Sequence, residues 1–286
     1  MRTLRRAFVV LLLLLAEIAC RPVSTLTQPV VVRPTAPISL FNGRDLSNFE
    51  TWLVDHHEED PDRVFSVVDQ IDGGPAIRIS GQHWGGLATR ERYADYRLVV
   101  EFRWGLLTWS ERRIAARDSG VLVHGDGPLG NTARNMNGPW IRSIEAQVIE
   151  GGTGDFILVA GYDEGGASTT PTLVVRAAKD RDGEDVYAPG GASRQFDKGR
   201  VNWFGRDPDW TDTLGFRGRQ DVESRAGEWT RLEVTCKGRA ITIHVNGTLV
   251  NAGVDASVSS GRIMLQSEGA EIFFRRVELL PLVERD

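Results

Sequence analysis

Two strand-like segments of the chain place acidic, amide and imidazole side chains at alternate positions. Asp118 and His124 fall on one face of the first segment, and Glu145 and Gln147 share one face of the second, because successive side chains of a strand point to opposite sides. Such side chains can transfer protons and hold hydroxyl groups. We predict that both segments line one polar surface, although polar residues of an antiparallel sheet also simply face solvent.

Proton transfer is expected from His124 and Glu145. The pKa of an ordinary histidine is about 6.5, close to neutral pH, whereas that of a glutamate starts near about 4.3 and rises only with burial or a neighbouring carboxylate. We therefore expect His124 to act as the general base and Glu145 as its partner acid or orienting group. A histidine that only bonds a backbone carbonyl is the structural alternative.

A wider set of residues is suited to holding a sugar. Tryptophan faces beside carboxylate and amide groups suit a sugar ring, and Trp104, Trp109 and Trp140 flank the two segments. Gln266 and Glu268 repeat the amide-and-acid spacing near the end of the chain. Arg142 would stabilise negative charge if it turned inward, although alternation puts it opposite Glu145. The predicted substrate contacts are Asp118, Ser119, Trp140, Arg142, Gln147, Gln266 and Glu268.

A divalent metal ion is an open alternative for the same surface. Asp118, His124 and Glu145 offer oxygen and nitrogen ligands to an ion that would polarise a carbonyl group. Their spacing matches no recognised metal-binding motif, and we expect no cofactor. The ligand-rich run from His56 to Asp60 is explained more simply as a hydrated acidic loop.

Length and composition indicate one large all-β domain. The chain has 286 residues, a formal charge of −5 and a pI near 5.7, so it has no basic surface of the kind that binds nucleic acid. Short alternating segments separated by turn signals, such as Asn246-Gly247, indicate a β-sandwich. We expect no nucleic acid partner, and membrane attachment only through an N-terminal lipid.

The first 20 residues have the pattern of an export signal. A basic start precedes an apolar run from Ala7 to Ala16 that is too short to span a bilayer comfortably. Cys20 resembles a bacterial lipoprotein cleavage site, but Glu17 stands where that pattern has an aliphatic residue. We expect a periplasmic or cell-envelope protein, with lipid attachment at Cys20 and ordinary cleavage both open.

The remaining chain divides into a tether and one domain. Residues 21–37 contain four prolines and no helical period, which predicts an extended tether. Residues 38–282 form the domain, with a long polar insertion at about 179–225 that we expect to pack beside the sheet and to form a wall of the groove. The basic segment 106–117 is either a loop or a short helix.

Several stretches in this order resemble one family. They are Leu40-Phe41-Asn42-Gly43, Ser119-Gly120-Val121-Leu122-Val123-His124, Ser143-Ile144-Glu145-Ala146-Gln147, Val201-Asn202-Trp203-Phe204-Gly205-Arg206-Asp207-Pro208, Gly227-Glu228-Trp229, Val245-Asn246-Gly247 and Gly261-Arg262-Ile263-Met264-Leu265-Gln266-Ser267-Glu268-Gly269. From about residue 38 to 282 the chain is similar to the 3-keto-disaccharide hydrolase domain family. It departs from the family at Asp118, where asparagine is usual.

The resemblance implies a concanavalin A-like jelly roll of two curved antiparallel sheets, acting on glycosides oxidised to a ketone at C3. Such a ketone acidifies the hydrogen on C2. A base can then remove this proton, the C1 substituent can leave, and water can add to C1. The implied partners are a 3-keto-glycoside or disaccharide and an upstream sugar oxidoreductase that makes the ketone.

Two other functions compete with this one. An ordinary glycoside hydrolase uses two carboxylates that flank the scissile bond, and the sequence of Glu145 followed by Gln147 argues against that arrangement. A noncatalytic carbohydrate-binding module is the alternative from a different class, because this fold also serves lectins.

Overall fold

The structure is a computed structural model that describes residues 30–282, and nearly all of its regular elements are strands. The first eleven are β1 (Val31–Val32), β2 (Ile38–Ser39), β3 (Phe49–Leu53), β4 (Phe65–Ile71), β5 (Gly74–Ile79), β6 (Gly85–Thr89), β7 (Arg92–Tyr93), β8 (Tyr96–Thr108), β9 (Asp118–Asp126), β10 (Arg142–Ile149) and β11 (Phe156–Val159). The others are β12 (Gly161–Tyr162), β13 (Ser168–Thr169), β14 (Leu173–Lys179), β15 (Asp185–Tyr187), β16 (Ala192–Phe196), β17 (Gly199–Val201), β18 (Thr230–Lys237), β19 (Ala240–Val245), β20 (Thr248–Val254), β21 (Arg262–Ser267) and β22 (Ala270–Pro281).

Two large antiparallel sheets form the expected jelly-roll sandwich. The smaller sheet has seven strands in the order β17-β11-β10-β9-β21-β6-β3. The larger has eleven, with the path β15-β14-β20-β19-β18-β8-β22-β5-β4 and with β16 and β2 paired to β14 and β22. One continuous apolar core lies between them. Within residues 30–282, no helix is long and apolar enough to cross a membrane.

The sandwich follows from side-chain alternation along its strands. In β8, Tyr96, Leu98, Val100 and Phe102 are fully buried, as expected for one face of a strand that packs on an opposing sheet. In β10, alternate residues divide in the same way. Ile144, Ala146 and Val148 belong to the core, and Glu145 and Gln147 point to the other face of the smaller sheet.

Strand β9 breaks this alternation at His124. Opposite β10, Val123 pairs with Ile144 but Asp126 pairs with Arg142, so β9 contains one extra residue there. Its pairing with β21 shifts at the same place, and His124 has a positive φ of 55°. This is a β-bulge, which turns a side chain to the opposite face. The prediction that His124 shares a face with Asp118 is therefore wrong.

The ends and the insertion depart in part from their expected form. The predicted signal peptide, Cys20 and the tether up to residue 29 lie outside the described residues. Val31–Val32, within the predicted tether, pairs in parallel with β7. The insertion contains β15, β16 and β17, and β17 is the edge strand of the smaller sheet beside β11. The segment 106–117 includes one short 3-10 helix, Ser110–Arg113.

Candidate functional site

The outer face of the smaller sheet bears a small cavity of about 310 Å³. Its wall is formed by the adjacent strands β11, β10, β9 and the end of β21. The residues lining it are Arg112, Asp118, Trp140, Glu145, Gln147, Ile157, Val159, Arg200, Gln266 and Glu268. Six predicted site residues thus meet at one place: Asp118, Trp140, Glu145, Gln147, Gln266 and Glu268.

Gly120 makes room for the polar groups at the floor of this cavity. It lies opposite Gln147 in the β9–β10 ladder. A Cβ atom at this position would overlap Glu145 Oε1 and lie 2.9 Å from Gln266 Oε1. Both oxygen atoms therefore converge over the bare backbone of Gly120, and within residues 30–282 neither has a hydrogen-bond partner. The floor of the cavity therefore holds two buried oxygen atoms without a hydrogen-bond partner in the described part of the chain.

Arg112 compensates two of the buried acids. Its Nη2 atom donates to Asp118 Oδ2 at 2.6 Å and to Glu268 Oε1 at 3.2 Å, and its Nη1 atom donates to Asp212 Oδ1 at 3.2 Å. The arginine belongs to the 3-10 helix between β8 and β9 and is buried. The sequence placed Arg112 in a basic segment but gave no sign that it contacts the acids.

Arg200 brings a second positive charge from the insertion. It lies in β17 directly opposite Ile157 of β11, which also lines the cavity. Its Nη1 atom donates to Asp155 Oδ2 at 3.0 Å, and Asp155 is fully buried. The expectation that the insertion forms part of the groove holds at Arg200, although this residue was not predicted.

Burial raises the pKa of the three acids that line the cavity, which are Asp118, Glu145 and Glu268. It raises the pKa of Glu145 well above its ordinary value, and the nearby charges of Glu268 and Asp118 raise it further. Burial and the charge of Glu268 also raise the pKa of Asp118, against the opposing effect of Arg112. Burial raises the pKa of Glu268 to about 7, with Arg112 again opposing. Acids of this kind can donate or accept protons near neutral pH.

His124 lies away from this cavity, in the core between the sheets. It is fully buried, and its ring meets Tyr96 of β8 edge-on at 5.9 Å. Burial lowers the pKa of His124 to about 4. A neutral, enclosed imidazole on the far side of the sheet cannot reach a substrate beside Glu145. The geometry therefore does not bring together the proposed base and its partner.

Other predicted contacts also lie outside the cavity lining. Ser119 Oγ donates to the carbonyl of Gln266 at 2.8 Å, which links β9 to β21. Arg142 Nη1 lies 3.4 Å from Asp126 Oδ2, and Arg142 does not line the cavity. Trp109, which was expected only to flank the two segments, donates to the carbonyl of Ser80 at 2.9 Å. These residues support the fold, and a metal site of Asp118, His124 and Glu145 is excluded by the burial of His124 on the opposite face.

A larger cavity of about 770 Å³ lies elsewhere, against β8 and β22. Its lining includes apolar residues such as Trp104, Leu106 and Phe273 and charged residues such as Arg117 and Glu150. We assign the site to the smaller cavity because several buried acids of altered pKa converge there, and such clusters mark reactive sites.

Residues 36–280 match the model of the 3-keto-alpha-glucoside-1,2-lyase-like domain. The chain belongs to this family. The match covers both sheets and every residue of the cavity lining, so this lyase-like domain is a carbohydrate-active protein. A comparison with curated proteins gives no match.

Solved structures of similar shape include several carbohydrate-active proteins. A candidate glycosyl hydrolase from Parabacteroides distasonis ATCC 8503 is 17% identical, with 86% of this chain and 99% of that chain covered and a TM-score of 0.45. The Bacillus licheniformis β-glucanase is 11% identical over 86% and 99% of the chains, with a TM-score of 0.42. The carbohydrate-binding module CBM66 from Bacillus subtilis is 12% identical over 75% and 91%, with a TM-score of 0.37. At these scores none of them bears on the activity of the lyase-like domain.

The buried His124 predicts a specific pH dependence of stability. The imidazole of His124 binds a proton near pH 6.5 in the unfolded chain, but only near pH 4 in the folded chain. Between these pH values the unfolded state binds more protons, so the free energy of unfolding falls as pH falls. Relative to His124→Asn, which also tolerates a positive φ, the wild type should lose about 3 kcal/mol of unfolding free energy from pH 7 to pH 4. Urea unfolding at both pH values measures this difference. Equal losses in the two proteins would contradict a buried neutral imidazole.

Proposed function

We propose that this protein is an exported enzyme that cleaves 3-keto-glycosides by elimination at C1 followed by hydration. The observation that carries the proposal is the convergence of Asp118, Glu145 and Glu268, all with raised pKa, in one cavity of a chain that belongs to the lyase-like family. This reaction needs acids and bases of moderate strength rather than a strong nucleophile.

Glu268 is the best candidate for the general base. A base acting at neutral pH needs a pKa near 7 and an ionised form held in place, and burial raises the pKa of Glu268 to about 7. Its Oε1 atom is fixed by Arg112 at 3.2 Å. In this proposal the carboxylate takes the proton from C2, which leaves an enolate conjugated with the C3 oxygen. The role first expected of His124 thus passes to Glu268.

Glu145 is suited to the opposite role. Burial and neighbouring acids raise the pKa of Glu145, so its carboxyl group stays protonated and can donate to the departing C1 oxygen. The C1–O bond then breaks, a C1–C2 double bond forms, and the leaving group carries away the proton of Glu145. Water next adds hydroxyl to C1 as Glu145 takes its second proton, and Glu268 returns its proton to C2, so both acids regain their starting forms and the net change is hydrolysis. Arg200, which lines the same cavity, would stabilise the enolate oxygen.

Direct glycoside hydrolysis is a second candidate, favoured by the convergence of the predicted acids in one cavity. The site contains more than one carboxyl group around the same cavity, and a pair of carboxyl groups with separated acidities is what ordinary glycosidases use. The earlier objection that Gln147 replaces a second acid no longer applies. The two reactions differ in substrate, because only the elimination requires a ketone at C3.

We further propose that the protein works outside the cytoplasm, downstream of an oxidoreductase that makes the ketone. The export pattern of residues 1–20 supports the first part. The second follows from the chemistry, because an unoxidised glycoside has no acidic hydrogen at C2.

Product release from a 3-keto-disaccharide and from its unoxidised parent tests the reaction class. The wild type should release sugar from the keto substrate alone, and Glu145→Gln and Glu268→Gln should each slow release about 10²–10⁴-fold. Glu233→Gln, on β18 of the larger sheet, is the matched control and should remain active, as should His124→Asn. Release from both sugars would indicate direct hydrolysis. Binding without release from either would indicate a carbohydrate-binding module.

The pH dependence of the keto-sugar reaction tests the assignment of the base. Because Glu268 must be ionised and burial raises its pKa to about 7, kcat/KM should rise as pH increases through about 7. In Glu268→Gln, kcat/KM should be lower and should no longer rise as pH increases through about 7. If kcat/KM of Glu268→Gln still rose through pH 7, another group would be responsible for this pH dependence.

Gly120→Ala should disable the site without unfolding the protein. The added methyl group would overlap Glu145 Oε1, the mobile end of a side chain, so the carboxyl group must move. We expect kcat/KM to fall at least about 10²-fold, since small displacements of catalytic groups cost that much. Gly74→Ala, in β5 with no atom within 4 Å of the new Cβ, is the control. Equal activity in both variants would contradict a role for Glu145 at its present position.

A further inference from the structure

Two histidines and two aspartates meet at a surface between the β3–β4 loop and the segment before β6. His56 and Asp62 come from the loop, and His83 comes from the other segment. Within residues 30–282, these three form the one group of histidine, cysteine or acidic residues whose ligand atoms all lie within 4.8 Å of one another. None of them lines the candidate catalytic cavity.

The imidazole of His83 is held at both nitrogen atoms. Its Nε2 atom lies 2.9 Å from Asp62 Oδ2, and its Nδ1 atom lies 3.0 Å from Asp55 Oδ2. His56 Nε2 lies 3.6 Å from the same Asp62 oxygen, and the two imidazole rings meet edge-on at 5.0 Å. Thus one ligand atom each of His56, Asp62 and His83 lies within 4.8 Å of the other two, while Asp55 bonds the second ring nitrogen of His83.

These distances suit a transition metal ion. Zinc ligands lie about 2.0–2.2 Å from the ion, so neighbouring ligand atoms of a tetrahedral site are about 3.4 Å apart. The 2.9 Å and 3.6 Å separations at Asp62 lie on either side of that value. Metal-bound histidines usually donate their other ring nitrogen to a carboxylate, which is the relation of His83 to Asp55.

We propose that His56, Asp62 and His83 bind one divalent transition metal ion, with Asp55 orienting His83. Imidazole with carboxylate favours zinc and similar ions over magnesium or calcium, which prefer oxygen ligands alone. The side chains of His56, Asp62 and His83 are 31%, 45% and 19% exposed, so an ion can enter from solvent and keep a water-bearing position.

The backbone holds the two segments before any ion binds. The amide and carbonyl groups of Leu53 and His57 bond each other at 2.7 and 2.8 Å, which closes the turn that carries His56. Ser267 Oγ donates to the carbonyl of His83 at 2.7 Å and fixes the second segment to β21. An ion would therefore join the β3–β4 loop to the sheet, and its binding should raise the melting temperature.

The test is zinc binding by isothermal titration calorimetry with tag-free protein treated with EDTA. The wild type should bind one Zn²⁺ per chain, and His56→Ala and His83→Ala should each abolish this binding. Asp55→Asn should weaken it about 10–100-fold, as is typical for a residue that orients a ligand. His57→Ala is the matched control: His57 is adjacent in sequence but stacks on Trp52 at 4.9 Å instead, and its loss should leave the affinity unchanged.

Co²⁺ absorption gives a second readout that does not depend on catalysis. A bound ion should produce visible bands that disappear in the His56 and His83 variants and persist in His57→Ala. Thermal melting in EDTA shows whether a variant that binds no metal is still folded. If a histidine variant melts at a lower temperature than the wild type, Asp62→Asn, at an exposed side chain, takes its place in the test. No zinc binding by the wild type, or undiminished binding in the ligand variants, would leave only an ion-paired cluster and overturn the proposal. Neither result bears on the 3-keto-glycoside reaction.

Discussion

The buried guanidinium group of Arg112 is the contact on which the candidate site depends. It bonds Asp118 at the start of β9, Glu268 after β21 and Asp212 in the insertion. Three segments far apart in sequence thus share one positive charge. Removing one partner of a buried ion pair leaves an uncompensated charge and is far more costly than losing an exposed pair. Gly269 permits this arrangement, because a Cβ there would lie 2.7 Å from Arg112 Cγ.

This charge balance also explains why the acids have raised pKa values. Arg112 supplies one positive charge to two buried carboxyl groups, and Asp155 partly neutralises the charge of Arg200. Glu145 has no arginine of its own within hydrogen-bond distance in the described chain. Since low polarity and like charges both disfavour ionisation, at least one proton remains among the three acids near neutral pH, and Glu145, which Arg112 does not contact, is suited to hold it.

The parts of the structure that depend on local pattern could be predicted from the sequence. The prediction that Glu145 and Gln147 share one face of a strand follows from a period of two residues and is confirmed, with Ile144, Ala146 and Val148 in the core. The buried face of β8 has the same period. His124 was assigned to the wrong face because the same period was extended across a bulge. That bulge is defined by the pairing of β9 with both β10 and β21, and such register is not encoded within one strand.

Arg112 and Arg200 were missed for a related reason. Arg112 follows a long strand in a short helix whose direction is set by tertiary contacts, and Arg200 reaches the cavity only because β17 pairs with β11. Neither residue has a distinctive spacing to the acids. The acids themselves were found, because Glu145, Gln147, Gln266 and Glu268 alternate regularly in strands or directly after them.

The candidate cavity has different residues on its two sides. One of these sides connects it to the cluster of His56, Asp62 and His83. On one side stands Arg200 from the insertion. On the other, Trp140 lines the cavity and stacks on Trp84 at 5.6 Å with an angle of 20°. Trp84 directly follows His83, whose carbonyl is held by Ser267, the residue between Gln266 and Glu268. The aromatic edge of the groove and the segment that carries His83 are therefore joined through directly adjacent residues, and both are fixed to the end of β21 by the hydrogen bond from Ser267.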